Sequence, residues 1–245
     1  MTDVLHEVVV TPRRAFPRLP DLRVIERPGW LQIVTPSLKA GWLNEVIYSL
    51  LDDQRADPAI DEAIAIYRDL GLAFRWNAAP GSGPADLGAR LVRRGLEESW
   101  GRGMARSIDM ARRSDDVVLV DADSIDAYTG VMAAGWGGDR DALARLHAYL
   151  IAEQRQRMFV AYCDGTPAAA ASYLPFERSA FLMGGVVLPQ FRGRGLYRTL
   201  VRARLAHARS LGIELATTHA REASSAPILE KLGFATVCRF AMYLG

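Results

Sequence analysis

The chain has 245 residues, of which 50% are hydrophobic and 24% charged, and its formal net charge is +2. This composition is typical of globular proteins, and no apolar stretch reaches the length that spans a membrane. The small net charge gives no reason to expect nucleic acid or a membrane as a partner, and two cysteines argue against a disulfide framework.

The first 20 residues carry scattered prolines and arginines and are expected to form an extended N-terminal arm or a disordered tail. They lack the apolar core of a signal peptide. We therefore expect a cytoplasmic protein.

Residues 21–114 are predicted to form a first domain of short strands and helices. Asp57 and Pro58 favour a helix start, because aspartate caps the first unbonded N–H groups and proline fits the first turn. Gly71 and Gly95 are typical of helix ends. The predicted elements are strands at 30–34, 44–51 and 72–78 and helices at 57–70 and 84–94.

Residues 115–245 are predicted to form a second domain, with the junction in the arginine-rich, glycine-containing segment 101–114. The element order, β-α-α-β-β-β-α-β-α-β, predicts a layered α/β fold with mixed antiparallel and parallel strand pairing. The predicted strands are 117–120, 158–163, 167–174, 180–188, 213–219 and a last pair ending at 244, and the predicted helices are 124–134, 141–155, 196–211 and 225–232.

An internal repeat is indicated by two helix–glycine–strand joints that recur in the same order. Residues 69–72 (DLGL) resemble 210–213 (SLGI), and residues 91–96 (LVRRGL) resemble 229–234 (LEKLGF). Such joints also resemble one another by chance, but the shared order and nearly equal spacing favour two tandem copies.

The segment from strand to helix differs between the two copies. The second copy has two glycines in residues 190–195, whereas the matching segment of the first copy, 49–57, has none and carries Asp52, Asp53 and Asp57. Three carboxylates would repel a phosphate. The first copy is therefore predicted to be degenerate, with a single polyphosphate site per chain.

The central motif is the turn QFRGRG at 190–195, which joins an apolar strand directly to an amphipathic helix. A glycine-bearing turn at a helix start exposes backbone N–H groups, and the helix dipole adds partial positive charge there. Such turns bind anions, above all pyrophosphate, and Arg192 and Arg194 would reinforce the binding.

In this context the segment 185–195 (GVVLPQFRGRG), followed by 225–234 (SAPILEKLGF), resembles the GNAT (general N-acetyltransferase) superfamily. The resemblance covers residues 117–245, and the first half is similar to the degenerate copy of tandem members. It implies a GNAT-like mixed sheet flanked by helices, with acetyl-CoA as co-substrate in a gap between strands 180–188 and 213–219. It further implies a monomer or homodimer that acetylates a primary amine of a small molecule or peptide by direct transfer, without a metal.

The resemblance also implies which residues contact acetyl-CoA. Backbone N–H groups of the glycine turn would bind the pyrophosphate, the preceding strand would pair with the pantetheine arm, and an N–H near Val187 would polarise the thioester carbonyl. The implied residues are Val186, Val187, Leu188, Arg192, Gly193, Arg194, Gly195, Leu196 and Tyr197.

The catalytic residues are less clearly marked. Many members of the family protonate the leaving thiolate with a tyrosine, and the matching residue here is Leu229, which cannot donate. His219 is the first candidate for general acid–base work, with a structural, hydrogen-bonded histidine as the alternative. Ser225, Tyr173 and Glu177 are weaker candidates; Ser225 is equally suited to cap a helix, and Glu177 is predicted in a hairpin turn.

Other candidate residues carry little signal. His147 and His207 are predicted to be solvated helix residues, and no histidine–carboxylate cluster has metal-ligand spacing. Four tryptophans are candidates to line an acceptor pocket, and no pattern selects one of them: Trp30, Trp76, Trp100 and Trp136.

Three other functions stay open from the sequence. The chain could be a catalytically silent acyl-CoA-binding regulatory module, as Leu229 and the degenerate first copy would allow. It could transfer an aminoacyl or longer acyl group on the same fold. A dinucleotide-binding turn is disfavoured, because Arg198 replaces the third glycine of that motif.

Overall fold

The computed structural model describes residues 3–39, 43–109 and 117–245. The chain divides into two compact units. The C-terminal unit comprises Gly103–Val237 with Met1–Ala15, and the N-terminal unit comprises Phe16–Arg102 with Cys238–Gly245. The first and last segments thus group differently from the domains expected at 21–114 and 115–245, and that division stays a prediction.

The described residues form seven α-helices and eleven strands. The helices are α1 (Asp3–Val9), α2 (Asp53–Asp69), α3 (Leu87–Arg93), α4 (Ile125–Trp136), α5 (Arg140–Ala152), α6 (Leu196–Ser210) and α7 (Ser225–Glu230). The strands are β1 (Arg23–Arg27), β2 (Trp30–Val34), β3 (Glu45–Ser49), β4 (Arg75–Ala78), β5 (Glu97–Ser107), β6 (Val117–Leu119), β7 (Arg157–Cys163), β8 (Thr166–Pro175), β9 (Ser179–Val187), β10 (Leu215–Arg221) and β11 (Ala235–Leu244).

The N-terminal unit is a small mixed sheet covered by helices. Strands β1, β2 and β3 are antiparallel neighbours, β4 runs parallel to β3, and the end of β11 lies antiparallel to β4. Its core is rich in aromatic side chains: Trp30 meets Trp76 edge-on with ring centroids 5.4 Å apart. Tyr67 of α2 stacks on Phe74 with centroids 4.3 Å apart. These contacts bury α2 against the sheet.

Helix α2 begins one turn before its predicted start. The Asp52 side chain accepts a hydrogen bond of 2.9 Å from the Arg55 N–H, which caps the helix, and Pro58 lies inside it. The prediction of a start at Asp57 was wrong because several aspartates compete for the cap position and the structure uses an earlier one.

In the C-terminal unit the strand order is β5-β10-β9-β8-β7-β6. Strands β6 to β9 form an antiparallel meander, and β10 runs parallel to β9. Helix α6 packs on the face that presents Ala169, Ala171 and Tyr173 of β8. Because side chains alternate along a strand, Ser172 points to the opposite face, towards Met132 of α4 and Gly184. The predicted fold class is confirmed: a mixed α/β fold with a mostly antiparallel sheet flanked by helices.

The prediction of a strand pair at the C-terminus was wrong, because this segment is one continuous strand, β11. The sequence analysis also missed β5, which runs through residues 101–107 of the predicted domain junction. In β5, Met104 and Ala105 are buried, although arginines and glycines surround them in the sequence. Local composition therefore hid a strand that tertiary packing stabilises. Residues 110–114 of the predicted junction lie outside the described residues.

The N-terminal segment is helical where the sequence predicts an extended or disordered arm. In α1, Val8 and Val9 are buried, and the Glu7 carboxylate accepts a hydrogen bond of 2.5 Å from the buried Ser179 hydroxyl. A seven-residue helix has little stability of its own. Its packing on the rest of the C-terminal unit therefore stabilises it, and the sequence shows no trace of that contact.

The expectation of two solvated histidines was also wrong. His207 lies with Nδ1 2.7 Å from the Tyr173 hydroxyl, and His147 is only 3% exposed, with Nδ1 2.8 Å from the Thr129 hydroxyl. Burial lowers the pKa of His147 to about 4. This ring is therefore neutral at pH 7.

Replacement of His147 is expected to change the acid sensitivity of the fold. In the unfolded chain histidine titrates near pH ~6.5. Between that pH and about 4 the unfolded state binds more protons than the folded state. The stability contributed by the neutral ring is therefore fully present above the unfolded-state pKa and is lost as the pH falls towards the folded-state pKa. Chemical denaturation at pH 7 and pH 4.5 should show a smaller loss in His147→Gln than in the wild type, by up to about 3 kcal/mol.

His6→Gln is the matched control, because His6 is exposed on α1. It should retain the acid sensitivity of the wild type. Equal losses of stability in His147→Gln and the wild type would contradict the assignment of His147 as the titrating group.

Candidate active site

Strands β9 and β10 separate partway along their length. Their parallel pairing runs from Ser179 opposite Leu215 to Leu182 opposite Thr218. Beyond that pair β9 continues to Val187 and β10 to Arg221, with no further β9–β10 pairing among the described residues. The result is an open wedge between residues 183–187 and 219–221, here named the β9–β10 gap.

A bulge in β9 accompanies this separation. The register with β8 shifts between Ala170 opposite Val186 and Ser172 opposite Met183, so that β9 has one residue more than β8 over the same stretch. Gly184 in the bulge has φ of +64°, a conformation that glycine adopts readily. Bulges bend the strand that contains them. The bulge thus turns the end of β9 away from β10.

The side chain of Arg204 from α6 fills the bulge. One terminal guanidinium nitrogen (Nη1) donates to the carbonyl oxygens of Ser172 at 3.1 Å and Met183 at 3.4 Å, the residues that flank the register shift. Arg204 is only 2% exposed, and burial lowers its pKa to about 10, so the guanidinium stays charged at neutral pH. The guanidinium thus supplies hydrogen bonds to two carbonyl oxygens that would accept from backbone N–H groups in a regular strand pair.

Sequence reasoning missed Arg204, although a signal was present. It lies four residues after Leu200 and four before Ala208, within the apolar stripe that α6 buries. A charged residue inside such a stripe is almost never fully buried without hydrogen-bond partners. That position was the available indication of a buried structural arginine.

The glycine turn lies between the end of β9 and the start of α6. Gly193 and Gly195 have φ of +80° and +82°, and apart from their chain neighbours no atom of the described residues lies within 4 Å of where a Cβ would be on either. The N–H groups of residues 193–197 donate to no backbone carbonyl of the described chain, whereas the Arg192 N–H already donates to Pro189 at 3.2 Å. The turn therefore presents a row of available donors that begins at Gly193.

The two arginines of the turn have protein partners. Arg192 Nε donates to the Val187 carbonyl at 3.3 Å, and Arg194 donates to the Asp164 carboxylate at 3.3 Å. The Arg194–Asp164 pair is exposed on both sides. Exposed pairs of this kind contribute little to stability, so an anion could displace the carboxylate at small cost.

The backbone of Val187 faces the β9–β10 gap. The Leu188 N–H donates to the Ala168 carbonyl at 3.0 Å, towards β8. Because backbone groups of an antiparallel strand alternate between its two edges, the N–H and C=O of Val187 point to the other edge. Of the three predicted pantetheine contacts, Val187 presents its main chain to the gap, whereas Val186 and Leu188 direct theirs to β8.

His219 and Ser225 lie close to the end of β10. His219 Nε2 donates to the Val8 carbonyl of α1 at 2.9 Å, and its ring meets Phe181 edge-on at 5.1 Å. The Ser225 hydroxyl accepts a hydrogen bond of 2.9 Å from the Arg221 N–H. Both side chains thus make structural contacts, and their catalytic roles stay predictions.

The structure does not bring the remaining candidates to the gap. Leu229 is buried in the core of the C-terminal unit. Tyr173 is buried beneath α6, where desolvation raises its pKa to about 12, and Glu177 lies exposed between β8 and β9. Leu229 therefore serves packing in the core.

Two further properties concern the described residues as a group. None of the helices within 3–39, 43–109 and 117–245 is both long enough and apolar enough to cross a membrane. In the same residues, no three histidine, cysteine, aspartate or glutamate side chains are grouped so that they could hold a metal ion.

Comparison with known proteins places this site in a family context. Residues 124–234 match the model of the acetyltransferase (GNAT) family. That segment contains the bulge in β9, the glycine turn and α6. No curated protein sequence matches the chain.

Solved structures share the fold at low sequence identity. A GCN5-related N-acetyltransferase from Kribbella flavida is 14% identical with a TM-score of 0.69, covering 100% of this chain and 96% of its own. A functionally unknown conserved protein from Staphylococcus epidermidis is 15% identical with a TM-score of 0.68, covering 93% and 95%. A tandem GNAT protein from the clavulanic acid biosynthesis pathway is 13% identical with a TM-score of 0.58, covering 97% and 87%. The match to the acetyltransferase (GNAT) family model thus covers residues 124–234, and the solved structures share the fold of the chain.

Proposed function

We propose that this protein is an acetyl-CoA-dependent N-acetyltransferase that moves the acetyl group directly to a primary amine of a small molecule or peptide. One observation carries the proposal: the β9–β10 gap ends at a turn whose N–H groups at 193–197 have no backbone acceptor in the described chain. Donors of this kind at the start of a helix suit a pyrophosphate. The gap itself suits an extended pantetheine arm beside the free edge of β9.

The chemistry proposed for the gap needs few side chains. The amine nitrogen attacks the thioester carbonyl carbon, a C–N bond forms, and the carbonyl oxygen gains negative charge that the Val187 N–H stabilises. The C–S bond then breaks, and the coenzyme leaves as a thiolate. The proton lost by the amine passes to a base, for which His219 stays the candidate, or to water, and the Ser225 hydroxyl stays a candidate to relay it.

We further propose that the N-terminal unit is a degenerate copy of the C-terminal one. In both units three antiparallel strands are followed by a helix, a strand parallel to the third, and a second helix. At the position of the glycine turn, Asp52 caps α2 with its own carboxylate, and Arg90 pairs with Asp53 at 2.8 Å and Asp57 at 2.9 Å. Carboxylates thus occupy the helix start that an anion would need.

Isothermal titration should therefore give one acetyl-CoA bound per chain. Asp52→Ala combined with Asp53→Ala should leave that stoichiometry at one, because the first copy also lacks the glycines that permit close approach of a phosphate. Two molecules bound per wild-type chain would show that the first copy is functional.

A panel of primary amines then separates the two candidate functions. Coenzyme release with each amine, measured by thiol titration, is expected for at least one acceptor. Binding of acetyl-CoA without transfer to any amine would instead favour a catalytically silent acyl-CoA-binding regulatory module. Leu229 in the core and the His219 contact with Val8 are the observations that keep this alternative.

A further inference from the structure

An aromatic residue and a cation meet beside the β9–β10 gap. Trp136 is the last residue of α4 and is 48% exposed, and Arg221 is the last residue of β10. The guanidinium carbon of Arg221 lies 4.8 Å from the centre of the Trp136 ring. This distance is within the range of a cation–π interaction.

The contact crosses the opening of the gap. Gly135, the neighbour of Trp136, packs so closely on Val186 that any side chain there would collide with it. The end of α4 therefore rests on β9 beyond the bulge, whereas Arg221 lies on β10 three residues beyond Thr218, the last residue paired with β9. Trp136 and Arg221 thus bridge the two strands where they have separated.

The pair lies on the face of the sheet opposite α6. Ala216 and Ala220 of β10 belong to the core that α6 covers. Because side chains alternate along a strand, Arg221 points to the other face, where α4 packs. The glycine turn leads into α6. A molecule whose anionic group binds at this turn would therefore enter the gap from the face that α6 covers, and a molecule at Trp136 would enter it from the opposite face.

The charge of Arg221 has no carboxylate partner in the part of the chain that the structure describes. Other arginines of the same unit do have one: Arg178 pairs with Asp3, Arg194 with Asp164 and Arg209 with Glu214. A guanidinium offers several N–H donors in one plane, which match the two oxygens of a carboxylate. Contact with the indole ring orients the group without using those donors.

We propose that Trp136 and Arg221 recognise a carboxylate of the acceptor, so that the substrate is an amine that also carries a carboxylate group. The inference rests on the proposed function, since it assigns an occupant to the acceptor side of the same gap. A carboxylate bound by Arg221 holds the acceptor against the indole ring. The amine of the acceptor then faces the Val187 N–H from the side opposite the coenzyme.

The test uses the 245-residue protein saturated with coenzyme A, and a panel of N-acetyl amino acids together with their carboxamides as probes. These compounds mimic the acetylated product, so that binding can be measured by calorimetry without turnover. At least one carboxylate should bind about tenfold or more tightly than its carboxamide, as expected for a charge-assisted pair. Arg221→Gln should remove this preference while the affinity for coenzyme A stays unchanged.

Arg209→Gln is the matched control, because Arg209 is an exposed arginine of the same unit that pairs with Glu214. It should keep the preference for carboxylates, and Trp136→Leu should weaken carboxylate binding several-fold. Equal binding of carboxylates and carboxamides, no binding of either, or an unchanged preference in Arg221→Gln would overturn the inference alone. Failure of the wild type to bind coenzyme A would overturn the proposed function on which it rests.

Discussion

Gly193→Leu is expected to lower the affinity for acetyl-CoA by about 100-fold or more while the protein stays folded. The Cβ of leucine would hold the pyrophosphate away from the N–H groups of the turn, and each lost charge-assisted hydrogen bond is worth about 1.5–3 kcal/mol. The site of Gly193 has open space around it, so the side chain would meet ligand and not protein. The φ of +80° adds strain of about 1–2 kcal/mol to the variant.

Gly165→Leu controls for that strain. Gly165 lies in the turn between β7 and β8 with φ of +74°, and in the described part of the chain only its chain neighbours come within 4 Å of where a Cβ would be. It should lose similar stability in thermal unfolding and keep its affinity for acetyl-CoA in calorimetry. If Gly193→Leu bound acetyl-CoA as tightly as Gly165→Leu, the pyrophosphate would not lie on this turn.

Arg204→Met is expected to reduce both stability and acetyl-CoA binding. The substitution keeps a long apolar stem but leaves the buried carbonyls of Ser172 and Met183 without their donor. Each unsatisfied carbonyl costs about 1–3 kcal/mol. Relief from burying a charge offsets part of this loss. We expect a net decrease of about 2–4 kcal/mol in the free energy of unfolding, measured with urea.

The effect of Arg204 on binding should be larger than an equal loss of stability elsewhere in α6 produces. If its guanidinium holds the bulge, the end of β9 relaxes in the variant and Val187 moves, so that affinity falls about tenfold or more even far below the unfolding temperature. Leu205→Ala is the control, because Leu205 is a buried neighbour on α6 and its truncation costs a similar 2–5 kcal/mol or so. Leu205→Ala should bind acetyl-CoA normally, and Arg204→Lys should recover part of the lost affinity. Equal binding losses in Arg204→Met and Leu205→Ala would show that Arg204 matters for stability only.

Together these variants separate two contributions to the candidate site. Gly193→Leu tests the backbone N–H donors of the glycine turn, and Arg204→Met tests the bend in β9 that opens the gap. The turn and the bulge belong to one continuous stretch of chain, so both must be in place for a coenzyme to contact Val187 and residues 193–197 at once.

Local features of the chain could be predicted because their causes lie within a few residues. The strand–glycine–helix turn needs positive φ at Gly193 and Gly195, and the sequence supplies glycine at both. The Asp164–Gly165 turn likewise has φ of +50° and +74°, as its dipeptide predicts. The apolar stripe of α6 follows from residue spacing alone.

Predictions failed where distant parts of the chain decide the outcome. The helix α1 exists because residues 3–9 pack on strands more than 170 positions away, as the Ser179–Glu7 hydrogen bond shows. His147 looks like a solvated helix residue until α4 covers it and places Thr129 beside it. Arg204 looks like one more surface arginine until the β8–β9 register opens a hole for it.

The sequence by itself determined most of the α/β order of elements and the positive-φ glycine turn between β9 and α6, since both depend on neighbouring residues. Only the tertiary structure decided where β9 leaves β10, which backbone groups face the gap, and which tryptophan lies beside it. Those features depend on strand register and on burial, and both are set by contacts between residues far apart in the chain.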